Sequence, residues 1–257
     1  MTLRSLGWVR YGAAEVLGGT GVGAGEDGAL GELQEFFRSL PPDRYEPESN
    51  RYRRHARAVY LPWTGTLSWL PDIEDAEHGP VVDYDMQGYN AEFAGVRRRF
   101  PAIPPAVREN PIVQRVVRFD LEQTMWMEGF GATPLNVGVG CVLLSVAHTD
   151  AEAVSTPNIL HQDGGAVSFT FIHLVVRRNV VGAVNVIAPT RCVGLLPSEI
   201  SPRLIESEFT LEQPLDTFAV HNSRVSHYVS PVRRGPGTGP AERGIVIVAV
   251  SPLVKQL

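Results

Sequence analysis

The chain has 257 residues, 44% hydrophobic and 20% charged, with a formal net charge of −5. That balance reads as an ordinary soluble globular protein with apolar material for a sizeable core. The net negative charge argues against nucleic acid as a partner, and no apolar run approaches the roughly 18–20 residues of a membrane span.

The N-terminus, "MTLRSLGWVRYGAAEVLGG", has no apolar run of the kind a secretory signal needs. Cys141 and Cys192 are the two cysteines, and both fall in apolar strand-like segments. They are expected as reduced core residues of a cytoplasmic protein rather than a disulfide or a zinc site. Lys255 is the one lysine, close to the end of the sequence, which argues against Schiff-base chemistry.

In chain order, "EDGALGELQEFFRSL" places Leu30, Leu33, Phe36, Phe37 and Leu40 at helical spacing, with Pro41-Pro42 as its stop. "NRYRRHARAVYLPW" reads as a strand. Its arginines, with the "RRR" at Arg97–Arg99, read as solvated surface. The alternative is that one or two of them reach into a pocket to hold a carboxylate. A helix begins near Pro111, where proline suits the first turn, and carries Ile112, Val116, Val117 and Leu121 on one face. From about Asn136 the character changes to short runs rich in Val, Ile, Phe and Thr. These are "NVGVGCVLLSVAH", "AVSFTFIHLVV", "AVNVIAP", "ESEFTLE", "DTFAVHN" and "GIVIVAVSPLV", separated by Gly, Pro and Asn. Short strands at this spacing, preceded by helices rather than alternating with them, predict a mainly β, α+β fold of the jelly-roll type. The expectation is one catalytic domain over 1–257, with a helical and strand-bearing N-terminal shoulder (1–135) and a jelly-roll core (136–257).

Chemistry concentrates at "HQDGG". On a strand, His161 and Asp163 point to one side and could meet at one metal. Two histidines and one carboxylate on one face of a divalent metal leave the opposite face open, as in non-haem Fe(II) oxygenases. A third ligand must come from elsewhere. His173, ten residues on inside an apolar strand, reads as structural. His148 lies in a loop-like run, and His221 and His227 remain in "DTFAVHNSRVSHYVSPV".

Five segments together resemble the bacterial 2-oxoglutarate/Fe(II) dioxygenase family that includes the L-isoleucine 4-hydroxylases, over most of the chain from about Leu40. They are "LPPDRYEPESNRYRRHARAVY", "MQGYNAEFAGVRRRF", "HQDGG", "RRNVVGAVN" and "LDTFAVHNSRVSHYVSPV", the last followed by the arginine of "ERGIVIVAV". The turn has Gly182-Ala183 in place of the family's Gly-Gly, and His221 stands where the family often has an acid, which keeps it as a rival ligand. The resemblance implies a double-stranded β-helix with N-terminal helices packed on it. It implies Fe(II) held by His161, Asp163 and His227, with 2-oxoglutarate and O2 as co-substrates. Arg243 matches the arginine that holds the distal carboxylate of 2-oxoglutarate, a task suited to a bidentate guanidinium.

The implied reaction is hydroxylation of an unactivated C–H of a free amino acid or similar small polar acid, with release of succinate and CO2. Asp163 argues against halogenation, because related halogenases lack that carboxylate. Desaturation or cyclisation stays open, and so does a cupin-like metal-binding or sensor protein without turnover. Arg97, Arg53 and Arg224 are candidates for the substrate carboxylate, with Gln87, Tyr89 and Asn90 lining the pocket. The expected partner is a small molecule, not nucleic acid or membrane, and self-association into a homo-oligomer is left open.

Overall fold

A computed structural model of the chain describes residues 2–19, 24–84, 96–163 and 167–253. Its helices are α1 (Leu3–Leu6), α2 (Ala13–Val16), α3 (Ala24–Phe37), α4 (Pro105–Arg108) and α5 (Pro111–Thr124). The strands of the first half are β1 (Trp8–Tyr11), β2 (Arg51–Leu61), β3 (Thr66–Trp69), β4 (Ile73–Asp75), β5 (Gly79–Tyr84) and β6 (Arg98–Pro101). Next come β7 (Leu135–Val146), β8 (Glu152–Ala153), β9 (Phe169–Arg178), β10 (Val180–Gly182) and β11 (Asn185–Pro189). The last are β12 (Ser207–Phe209), β13 (Thr217–His221), β14 (Val225–Val229), β15 (Val232–Arg234) and β16 (Ala241–Pro252).

The largest sheet is antiparallel, with seven strands in the order β1-β13-β9-β16-β7-β2-β3. Three of its strands precede residue 136, so the N-terminal shoulder and the core share one sheet. Strand periodicity decides what each face meets. On β7, Leu135, Val137, Val139, Cys141 and Leu143 turn to the helix side and join one core with Leu33, Phe37, Ile112, Val116 and Val117. The alternate residues Asn136, Gly138, Gly140, Val142 and Leu144 face a cavity. β16 divides the same way: Val246, Val248 and Val250 enter the helix-side core, while Arg243, Ile245, Ile247 and Ala249 line the cavity.

Two small sheets, β12-β11-β14 and β10-β15-β8, close the cavity side. The first packs Ile187, Phe209, Leu211 and Val225 against Val142, Ile172, Phe218 and Ile245 of the large sheet. The second packs Ala153, Ala183 and Val232 against Leu144, Val146 and Ala241. The result is the expected mainly β jelly-roll sandwich with helices packed behind it. A further sheet, β4-β5-β6, adjoins β2 through a bridge between His55 and Ala102.

The helix at Pro111 forms as its sequence predicts. The Asn110 side chain accepts from the Ile112 N–H at 2.9 Å, Pro111 occupies the first turn, and Ile112, Val116, Val117 and Leu121 are all buried. α3 ends at Phe37, four residues short of Pro41, and Leu40 is buried outside it. Among the described residues no helix is long and apolar enough to cross a membrane. Cys141 and Cys192 are free and buried.

Candidate active site

His161 and His227 meet through their backbones. The His161 N–H donates to the His227 carbonyl at 3.0 Å, and the reverse bond is 2.9 Å. Residues directly opposite in an antiparallel pair present their side chains on one face, so the two imidazole centroids lie 4.3 Å apart. Asp163, two residues on, reaches the same point. Its Oδ1 is 3.8 Å from His161 Nε2 and its Oδ2 is 3.5 Å from His227 Nε2. One ligand atom from each of the three residues lies within 4.8 Å of the others. A β14 residue and a loop residue are thus joined by a single bridge, not by a long strand through "HQD".

The donor set fits a divalent metal that takes imidazole nitrogen and carboxylate oxygen. His161 Nδ1 lies 2.8 Å from the Ile159 carbonyl, which fixes the ring and leaves Nε2 toward the cluster. Burial, followed by the neighbouring His161, lowers the His227 pKa to about 4, against the attraction of Asp163, so the ring favours its neutral form. Burial works to raise the Asp163 carboxyl, but His227, His161 and a hydrogen bond with Thr170 hold it below its ordinary value. Asn222 braces this aspartate: its Oδ1 accepts from the Asp163 N–H at 3.3 Å and its Nδ2 donates to Thr170 Oγ1 at 3.0 Å. Asn222 and Thr170 were not singled out in the sequence. The asparagine's position next to His221 gives no pattern to find it by.

The other histidines are used elsewhere. His221 stacks on Phe169 at 4.7 Å and lies outside the cluster. His173 is fully buried, with ring nitrogens 2.8 Å from Thr217 Oγ1 and 2.9 Å from Asp120 Oδ2, so it joins β9 to β13 and α5. His148 is exposed in a loop.

A cavity of about 530 Å³ opens onto the three donors. Arg243 lines it and is 2% exposed. Among the described residues no ion pair reaches its guanidinium. Burial, then the neighbouring Arg177, lowers its pKa to about 10. Arg51, Arg53, His55 and Arg57, alternate residues of β2, also line the cavity. The solvated-surface reading of "RYRRHAR" is therefore corrected: a polar strand alternated toward a pocket, and Tyr52 and Ala56 toward the core.

Arg97 touches the cavity but is paired with Asp83 and its side chain is 69% exposed. Arg224 does not line it. Its guanidinium donates to the carbonyls of Arg4 at 2.6 Å and Ser5 at 3.2 Å, where it satisfies groups at the end of α1. That corrects its expected substrate role. Gln87, Tyr89 and Asn90 lie outside the described residues.

Two histidines and an aspartate inside an antiparallel sandwich, beside a cavity rich in arginine, define the donor set and setting of a non-haem iron oxygenase. The chain belongs to the 2OG-Fe dioxygenase family, whose model matches residues 34–249. It is a 2-oxoglutarate-dependent dioxygenase that uses Fe(II), 2-oxoglutarate and O2. It is 27% identical over 222 residues to a 3(1)-hydroxy-L-isoleucine 4-dioxygenase of Pantoea ananatis, a match covering 85% of this chain and 79% of that one. It is 30% identical over 215 residues to an L-isoleucine-4-hydroxylase of Bacillus thuringiensis, covering 81% and 80% respectively. The solved structure of IDO from Bacillus thuringiensis superposes with a TM-score of 0.72 at 22% identity, covering 98% of this chain and 92% of that one. The Fe(II)/(alpha)ketoglutarate-dependent dioxygenase TqaL gives 0.71 at 18% identity, covering 99% and 85%. At these identities the two structures speak for the fold.

Proposed function

We propose that this chain hydroxylates an unactivated C–H of a free amino acid or similar small polar acid. The balance is R–H, 2-oxoglutarate and O2 in, and R–OH, succinate and CO2 out. The observation that carries this reading is the opening of the His161–Asp163–His227 cluster onto the same cavity as a buried, carboxylate-free Arg243. A sensor barrel without turnover has no need of a dicarboxylate-binding cation beside its metal.

In this reading His161, Asp163 and His227 hold Fe(II), which with 2-oxoglutarate and O2 supplies the oxidising chemistry when bound. Arg243 holds the distal carboxylate of the co-substrate as a bidentate partner. Asp163 stays ionised and His227 neutral, so the donor set is ready without moving a proton. The apolar side chains of Ile172, Phe218, Ile245 and Ile247 exclude water around the reacting carbon. The amino-acid substrate class is supported by the two curated relatives, named for hydroxylation of isoleucine and its hydroxy derivative. The chain works as one catalytic unit, since its large sheet draws strands from both halves, and in the cytoplasm, where free thiols persist.

A panel of free amino acids, scored for succinate release together with a product one oxygen atom heavier, tests the reading. His161→Ala, Asp163→Ala and His227→Ala should each remove coupled turnover from a folded protein. Retention of activity in His227→Ala with loss in His221→Ala would overturn the ligand assignment. Metal and 2-oxoglutarate binding with no succinate from any amino acid would favour the sensor reading.

A further inference from the structure

The cavity holds more positive charge than the co-substrate and one zwitterion need. Asp43 accepts from Arg51 Nε at 3.0 Å and Nη2 at 2.6 Å, through the single oxygen Oδ2. Arg53 reaches that same oxygen only at 3.8 Å, is 8% exposed, and has a buried Nε with no partner. Its guanidinium lies 3.8 Å from the centroid of the Phe100 ring instead. Four residues along, Arg57 bonds the neutral Asn136 Oδ1 at 3.3 Å. Among the described residues the cavity has two lining carboxylates, Asp83 and Asp163. Asp83 is bound by Arg97 and Arg99, and Asp163 belongs to the metal cluster.

Between the two arginines lies His55, 7% exposed, its ring against Gly138 and Gly140 at the place where a Cβ would sit 3.5–3.6 Å away. Burial first, then Arg53, Arg57 and Arg98, lower the His55 pKa to about 3. Three guanidinium fields therefore converge on one point of the cavity wall. An amino acid with an uncharged side chain brings its ammonium as well as its carboxylate into this field and gains little.

The register shows which end is near the metal. Arg57 pairs with Gly138, Gly138 with Ala249, and Ala249 with Thr170, the residue that hydrogen-bonds Asp163. Arg57 therefore lies level with the donor cluster, and Arg53 lies two pocket-facing steps further along β2. Arg243 is on a separate row, with Leu144 and Arg51.

We propose that the prime substrate is an amino-dicarboxylic acid, whose two carboxylates are held by Arg53 and Arg57 on either side of His55. The inference rests on the oxygenase reading and narrows its substrate class. It is tested by calorimetry on the full chain with Mn(II) and saturating 2-oxoglutarate, without oxygen. L-Glutamate is compared with L-glutamine, and L-aspartate with L-asparagine, so that charge changes while size does not. At least one acid should bind about tenfold or more tighter than its own amide, as expected for a charge-assisted pair in a desolvated site. Arg57→Gln should erase that difference, and Arg53→Gln provides a second reading if the first variant fails to fold. Amides that bind as tightly as the acids, no binding by either acid, or an acid preference that survives both substitutions would each overturn the dicarboxylate assignment. Failure of 2-oxoglutarate itself to bind the Mn(II)-loaded protein would instead overturn the oxygenase reading.

Discussion

Arg243 offers a test in which stability and co-substrate affinity move in opposite directions. Its guanidinium is 2% exposed, and burial with the Arg177 charge lowers its pKa from the ordinary guanidinium range to about 10. That displacement corresponds to roughly 3 kcal/mol of unfavourable environment for the charged form. The cost stands until an anion arrives, because among the described residues no carboxylate pairs with it. Arg243→Met removes the charge and keeps most of the alkyl volume. The protein without co-substrate should then be as stable as the parent or more so, by up to about 3 kcal/mol. Deleting one partner of a desolvated charged pair costs about 2–5 kcal/mol, so 2-oxoglutarate should bind about 30-fold to several-thousand-fold more weakly. Arg243→Lys should recover part of this, since an ammonium cannot present the planar fork. The assay pairs thermal unfolding, with and without 2-oxoglutarate, with a titration of succinate formation. Arg234→Ala is the control: Arg234 bonds the Gly239 and Gly237 carbonyls at the surface. An unchanged 2-oxoglutarate KM in Arg243→Met, with a large rise in Arg234→Ala, would move the role to the loop and refute the reasoning.

Two further outcomes are expected. His55 keeps its ring neutral down to about pH 3, whereas the unfolded chain protonates it near 6.5. Its contribution is therefore fully present above pH 6.5 and lost as pH falls toward 3, up to roughly 5 kcal/mol. Unfolding temperatures from pH 7 to 4.5 should fall less steeply in His55→Gln, and equal slopes would refute the assignment. Asp120→Ala leaves His173 buried with one ring nitrogen unpartnered. It should cost about 3–5 kcal/mol in urea unfolding, with Asp120→Asn closer to the parent; an equal loss in both would show that the bond to His173 contributes nothing.

What the sequence made legible follows from how far each constraint reaches along the chain. The helix at Pro111 announced itself because its proline and its apolar face are both local, and each stands where expected. His161 and Asp163 were legible for the same reason, being two residues apart. His227 was not, since its place is fixed by a backbone bridge to a residue 66 positions away, and no short-range rule separates it from His221. The resemblance to a known family supplied that choice; in the structure His221 stacks on Phe169, outside the cluster that His227 joins. The arginines failed in a more instructive way. A strand of charged residues looks like solvated surface when each is weighed alone. Yet Arg51, Arg53, His55 and Arg57 alternate with Tyr52, Ala56 and Ala58, and this stretch of β2 pairs with β7 on one edge and bridges to Pro42 and Ala102 on the other, with helices behind. A strand flanked on both edges and covered on one face can carry such a row only if the other face opens on a pocket, because buried guanidinium groups need anions. Arg224 erred in the opposite direction: it is close in sequence to a ligand, but β14 begins at Val225 and the side chain before it falls outside the sandwich, on the end of α1. Proximity along the chain thus pairs the candidate donors His161 and Asp163. The period of a strand, read together with its place in the sheet, predicts the cations that surround them.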